Sequence, residues 1–289
     1  MQNTTRIGVV VVNYNMTVSC SALVSELLNN QGINCRNLVV IDNSYNLELK
    51  ANLSERLSFE NVVVAKNLGY GAAMNLGVSL LPESVDTIVL LTHEVVLQES
   101  ALQKLAWELT SLPDVAILGP TLMNLADGNV WSVGGNFSSI RNIPYHLKSI
   151  SEATARGVRW LDGACLVMHR DTWNEVGGFD PNFFLYFEDI DLCLRIAKST
   201  RKRVSVSSEV KVWQEPGGNL THSIVNENFP YFLIKSGNYK AAVAWIFVRC
   251  LIIALGTLTG SDKPKSFQKV FAGVSKGINY RKGVNRRGR

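Results

Sequence analysis

The chain has 289 residues, 46% of them hydrophobic, enough for one large α/β domain or one domain with a C-terminal appendage, which excludes a disordered chain as the default. Its formal charge of +5 is unevenly placed: residues 239–289 carry eleven Lys or Arg against one acid, Asp262, a net +10 that leaves residues 1–238 at −5. The acidic body lacks the basic stripe of a nucleic-acid reader, so no nucleic acid is expected there, and the basic tail points to an anionic surface, either lipid headgroups or nucleic acid.

The leading residues, Met1 to Arg6, are polar and run straight into an apolar strand, without the charged and apolar regions of a secretory signal. Strand-like runs at 7–13, 38–42, 62–66 and 87–91 then alternate with helical patterns at 17–30, 47–57, 71–81 and 100–112, which predicts a mainly parallel sheet with helices on both faces. From 115 to about 214 the pattern is mixed. Strands are expected at 116–119, 164–169, 204–206 and 210–213, a turn at Gly134 and Gly135, one helix opening at Asp171 and another over 189–199. The last block holds an apolar run at 241–258 and the basic tail. Five cysteines, Cys20, Cys35, Cys165, Cys193 and Cys250, form no CxxC pair and no zinc spacing, so reduced and mostly buried thiols in a cytoplasmic protein are expected.

In doubly wound sheets, ligands sit beyond the carboxyl ends of the strands. Here those ends read Asn13-Tyr14-Asn15, Asp42-Asn43-Ser44, Lys66-Asn67 and Thr92-His93-Glu94. Each could be an ordinary turn, but four polar ends converging on one edge suggest a shared site. Asp42 closes a buried run, where its carboxylate either accepts from a base imide or a ribose hydroxyl or simply caps a turn. Gly69 and Gly71 stand at a strand-to-helix turn that would let a diphosphate approach backbone amides. The third glycine of G-x-G-x-x-G falls on Met74, which disfavours a dinucleotide oxidoreductase. Further along, Glu188, Asp189 and Asp191 crowd a helix start. The helix dipole accounts for one or two of them; the neighbouring Phe183, Phe184, Tyr186 and Phe187 would line an apolar pocket in which a carboxylate gains proton affinity and can act as a general base.

Taken together, Asn13-Tyr14-Asn15, Asp42-Asn43-Ser44, Lys66-Asn67-Leu68-Gly69-Tyr70-Gly71 with Asn75, Gly177-Gly178-Phe179-Asp180 and Phe184-Leu185-Tyr186-Phe187-Glu188-Asp189-Ile190-Asp191 resemble, in content and order over residues 6–240, the family 2 glycosyltransferases and especially their rhamnosyltransferase-like branch. The resemblance implies a GT-A fold at 1–238, with a nucleotide-binding half at 1–114 and an acceptor half at 115–238, followed by a helical basic tail at 239–289. It implies an inverting transferase that uses a dTDP- or UDP-sugar, dTDP-rhamnose favoured, and a glycan or polyprenyl-linked acceptor; a silent nucleotide-sugar-binding partner protein is the rival. Asn13, Tyr14, Asn15, Asp42 and His93 would hold the nucleotide, with Asn67, Gly69, Gly71 and Asn75 beneath the sugar-diphosphate. Asp189 would be the catalytic base, with Glu188, Asp191, Tyr186, Trp160 and Asp162 on the acceptor side.

Two positions depart from the family's pattern. Thr92-His93-Glu94 stands where its metal-binding D-x-D or N-P-D motif ends strand four, and Gln214 stands in place of a histidine after the last strand. Glu94 could still offer a hard oxygen to Mg²⁺ or Mn²⁺. The apolar run at 241–258 carries Arg249 at its middle, which argues against a lone membrane span and for an interfacial helix backed by a polybasic patch, or for a core-packing helix. A cytoplasmic protein, peripheral on the inner face of the membrane and compatible with a homodimer, is the expectation.

Overall fold

The computed structural model describes residues 6–58, 60–139, 142–215, 222–258 and 265–287. Most of the leading polar segment, residues 1–5, and the last two residues of the basic tail lie outside them. In chain order the first elements are β1 (Ile7–Asn13), α1 (Thr17–Asn29), β2 (Leu38–Asp42), α2 (Glu48–Leu53), β3 (Val62–Val64), α3 (Tyr70–Leu80), β4 (Thr87–Thr92), β5 (Val96–Leu97) and α4 (Ala101–Ser111). There follow β6 (Val115–Asn124), β7 (Val130–Ser132), the hairpin β8 (Gly135–Phe137) and β9 (Pro144–His146), α5 (Ile150–Arg156), β10 (Cys165–His169), α6 (Arg170–Val176), α7 (Glu188–Thr200) and β11 (Arg203–Gln214). Three helices close the chain: α8 (His222–Lys235), α9 (Tyr239–Leu258) and α10 (Lys265–Arg287).

The main sheet runs in the order β3-β2-β1-β4-β10-β6-β11-β5, with β7 on β6. Strands β3, β2, β1 and β4 are parallel, and the order reverses direction at β1, which pairs with β2 on one side and β4 on the other. Strand β10 is antiparallel to both β4 and β6, so its first residues lie at the edge where β4 ends; the Thr92 amide donates to the Ala164 carbonyl at 3.1 Å. The strands β1, β2 and β4 are apolar on both faces because helices cover both faces, and Val9 to Val11, Leu38, Val40 and Ile88 to Leu91 are fully buried. Helix α3 lies so close on β1 that a Cβ at Gly77 would sit 2.2 Å from Val10 Cγ1, which is why a poor helix former occupies that turn.

The segments expected as two strands at 204–206 and 210–213 are one strand, β11, whose register on β6 shifts between Val206 and Lys211. Ser207 causes the irregularity: its hydroxyl accepts from the amide of Val210 at 3.1 Å while its carbonyl accepts from Thr121 Oγ1 at 2.9 Å. Pattern reading sees this local side-chain pairing as a break.

Two compact units are distinguished. The first comprises Met1–Asn136, Tyr145–Pro181 and Glu188–Pro216, and the second comprises Phe137–Pro144, Asn182–Phe187 and Gly217–Arg289. The second unit is helical. Its helix α10 packs on α8 through Gly273 and Gly277, and Lys269 and Lys276 both bond to Glu227 of α8. Phe183 stacks obliquely on Tyr231, and Phe187 on Phe229 and Phe232. All five cysteines are free; Cys20, Cys165 and Cys193 are buried, Cys250 is half-buried and Cys35 is exposed.

Candidate functional site

The polar strand ends meet at one edge of the sheet in the first unit. Asn13 is in register with Asp42, and Val12 with Thr92, so the chain positions that follow β1, β2 and β4 lie side by side. Asn13 Nδ2 donates to Asp42 Oδ1 at 2.9 Å, and the Ser44 amide donates to the same oxygen at 3.0 Å. The Ser44 hydroxyl accepts from the Asn15 amide at 2.7 Å, a turn that holds Asn15 at φ 55. Asn13 and Asp42 are both fully buried, yet Asn13 Oδ1 and Asp42 Oδ2 have no hydrogen-bond partner among the described residues. Buried acceptors left unspent are costly, and here two share one edge. Tyr14 is half exposed beside them. His93 follows β4 with its Nδ1 3.3 Å from the Val12 carbonyl; burial lowers its proton affinity, against the pull of that carbonyl.

The glycine turn serves packing more than expected. Gly69 has φ 82, a conformation that favours glycine, and its amide is already taken by Asn67 Oδ1 at 3.0 Å. A Cβ at Gly71 would lie 2.9 Å from Phe179 Cβ, so Gly71 is required by a neighbouring ring. Asn75 has a structural role as well. Its side chain donates to the Phe179 carbonyl at 2.9 Å and accepts from the Phe179 amide at 2.8 Å, clamping the Gly177-Gly178-Phe179 turn. Asn75→Ala strips both bonds and is expected to destabilise the protein by about 2–3 kcal/mol, read as a lowered denaturation midpoint.

Asp189 lies in the first turn of α7, beside this edge. Its Oδ2 accepts from the Gly163 amide at 3.1 Å and its Oδ1 from the Ile190 amide at 2.8 Å. Burial, and then the charge of Asp162, push its pKa up to about 6, against the pull of those two amides. Asp162 is itself held by His146 Nε2 at 2.7 Å and by the Ser132 hydroxyl at 2.6 Å. Glu188 is buried, its Oε2 has no partner, and burial with neighbouring Asp189 raises its proton affinity well above the ordinary carboxylate range. The Tyr70 hydroxyl donates to the Gly163 carbonyl and so braces the loop that holds Asp189. Below it, the Leu161 amide donates to Cys193 Sγ at 3.4 Å, and burial drives that thiol's pKa upward.

Three acceptor-side expectations change. Asp191 Oδ2 is 2.7 Å from Arg195 Nε, and that guanidinium donates on to the carbonyls of Val176 and Gly178, so Asp191 fastens the glycine turn. Trp160 is 4% exposed; its ring fills the space that a Cβ at Gly135 would occupy and meets His146 edge to face. Tyr186 falls in the second unit at φ 67, where Asn228 donates to its carbonyl, and the neighbouring phenylalanines pack there on α8. The proton affinity of Asp189 therefore comes from burial and Asp162, where an aromatic pocket had been expected. His146, Ser132 and Tyr70 had not been singled out. Only Ser132 and His146 touching Asp162 reveals them, because both come from short strands far from it in sequence.

Glu94 and Glu215 are the remaining acids near the edge. Burial first and Glu215 second raise the proton affinity of Glu94. No group of three or more His, Cys, Asp or Glu arranged to hold a metal exists among the described residues. A depression of about 580 Å³ between α5, α7 and β11, bordered by Ala153, Arg159, Ala197 and Arg203, shares none of the residues above.

A sequence model of the family described as "Glycosyltransferase like family 2" matches residues 5–228. The chain belongs to that family. The transferase is 26% identical over 211 residues to the N-acetylglucosaminyl-diphospho-decaprenol L-rhamnosyltransferase of Mycobacterium tuberculosis, covering 62% of this chain and 68% of the relative. It is 20% identical over 201 residues to the low-salt glycan biosynthesis hexosyltransferase Agl10 of Haloferax volcanii, covering 65% of this chain and 61% of that one. Among solved structures, GalNAc-T7 with UDP, GalNAc and Mn²⁺ superimposes with a TM-score of 0.60 at 15% identity, over 82% of this chain and 51% of that chain. The transferase thus spans about half of that structure's length and shares its GT-A fold, and the rhamnosyltransferase-like branch is supported by the mycobacterial relative.

Proposed function

We propose that the transferase moves a hexose, rhamnose from dTDP-rhamnose being favoured, from a nucleoside-diphosphate donor to a hydroxyl of a lipid-linked saccharide at the cytoplasmic face of the membrane. The observation that carries this reading is the pair of unspent acceptors, Asn13 Oδ1 and Asp42 Oδ2, at the sheet's switch point next to a carboxylate of raised proton affinity. The acceptors suit the imide N–H of a pyrimidine or a ribose hydroxyl. The mycobacterial relative, whose name specifies a diphospho-decaprenol acceptor, supports the lipid-linked choice.

In this reading Asp189 takes the proton of the acceptor hydroxyl as that oxygen bonds to the anomeric carbon. The bond to the diphosphate oxygen breaks on the opposite face, which inverts the centre. The Gly163 and Ile190 amides keep the carboxylate in place, and burial together with Asp162, which His146 and Ser132 position, raises its pKa to about 6. Glu94, after the end of β4, would offer a hard carboxylate oxygen to a divalent cation such as Mg²⁺ or Mn²⁺. When bound, that ion supplies charge neutralisation to the leaving diphosphate.

Calorimetric titration with dTDP and UDP, each with Mn²⁺ and with excess chelator, tests the site. Binding that metal strengthens, and that Asp42→Ala weakens about tenfold or more, is the expected result. Failure of both nucleotides to bind under either condition would remove the reading.

A further inference from the structure

The second unit carries a surface that the transfer reaction does not use. From Ala241 to Leu258, every exposed residue of α9 is apolar. Val243, Phe247, Val248, Leu251, Leu255 and Leu258 recur at three- and four-residue spacing and are each more than half exposed. The helix is 20 residues long; its apolar 18-residue window has mean hydropathy 2.2, and 11% of that window is buried. Its opposite side, with Ala242 and Ile253 buried, packs on α8 and α10. Arg249, which would interrupt an apolar face, has its Nε 2.7 Å from Asn226 Oδ1 on α8. So large a contiguous apolar face needs a partner.

We propose that the exposed face of α9 lies in the plane of an anionic bilayer, with the lysines and arginines of α10 at the headgroups. This inference stands whether or not the transfer reading holds. Charge selects the occupant. Residues 239–289 carry a net +10, so two copies docking face to face would bring like charges together, whereas acidic headgroups complement them. Packing selects the in-plane attitude. A spanning α9 would carry α8 and α10 into hydrocarbon with it, together with Glu227, Lys269, Lys276 and Lys282, and charges at that depth are strongly disfavoured. An interfacial helix immerses one face and leaves the other on protein, which is the distribution of burial α9 has.

The full chain and the double variant Phe247→Glu/Leu251→Glu would be floated with preformed vesicles of phosphatidylcholine alone and of phosphatidylcholine with phosphatidylglycerol. Both positions are exposed, so an unchanged melting profile certifies the fold. The expected result is binding to the anionic vesicles, weakened by salt and reduced about tenfold or more in the variant. No binding by the full chain, or binding the variant retains, overturns the proposal. So does self-association of the full chain that the variant abolishes, which would give the face to a second copy. A C-terminal tag shielded from protease by sealed vesicles, while an N-terminal tag is digested, would show that α9 spans and would equally overturn it.

Discussion

Asp189→Asn is expected to lower kcat by about 10²–10⁴-fold, the range for removing a general base, with a much smaller change in donor affinity. The argument rests on placement: two backbone amides fix the carboxylate, and burial with Asp162 brings its pKa up to about 6. A base works only when deprotonated. The rate should therefore rise with pH through about 6 and level off above it. In Asp162→Asn the main cause, burial, persists while the charge is lost, so the limb shifts to lower pH without returning to that of a free carboxyl. Stability runs the other way. A carboxyl whose folded pKa exceeds its unfolded value contributes stability fully present below the unfolded pKa, about 3.8, and lost as pH rises through about 6. Between pH 3 and pH 7, the stability of Asp189→Asn relative to the parent should thus improve by up to about 3 kcal/mol. Denaturation midpoints at several pH values measure it, and a pH-independent difference would contradict the burial argument.

Gly273→Ala is expected to produce the second large effect. In an isolated helix this exchange stabilises by about 1 kcal/mol. Here the added Cβ would meet the Glu227 carbonyl oxygen at 1.9 Å and its carbon at 2.9 Å. Both atoms belong to the backbone of α8, which cannot rotate away as a side chain can. Helix α10 must therefore part from α8, weakening the Lys269 and Lys276 bonds to Glu227, and a net loss of about 2–3 kcal/mol is expected. Gly283 lies on the same helix with nothing within 4 Å of its would-be Cβ. Gly283→Ala should be neutral or slightly stabilising, so comparing the two by thermal unfolding separates helix propensity from packing.

The parallel half of the fold was legible because its strands are short apolar runs ended by polar residues, and period alone locates them to within a residue or two at β1, β2, β4 and α3. The rest was less so. Helix α5, the short strands β5, β7 and β9, and helix α8 left no pattern that stood out, since three-residue strands have no measurable period and α8 buries polar Asn226 and Asn228 among its apolar residues. At the site, residue types pointed to one sheet edge but not to their partners. Asn75 and Gly71, expected beneath the sugar-diphosphate, and Asp191, expected on the acceptor side, also make structural contacts at or near the turn around Phe179. Conversely, His146 and Ser132 look unremarkable in sequence and become important only where they touch Asp162.

The bond between the Leu161 amide and Cys193 Sγ has a practical consequence. It pins the loop bearing Asp162 and Gly163 to the helix that carries Asp189 in its first turn, and the sulfur that does so is sealed from solvent. Alkylation at Cys193 can proceed only when that loop lifts, so its labelling rate is a clock for the opening of this region, with exposed Cys35 as the internal reference for intrinsic thiol reactivity. A nucleotide that stills the loop would slow the first rate and leave the second untouched, giving a read-out of occupancy that needs neither an acceptor nor turnover.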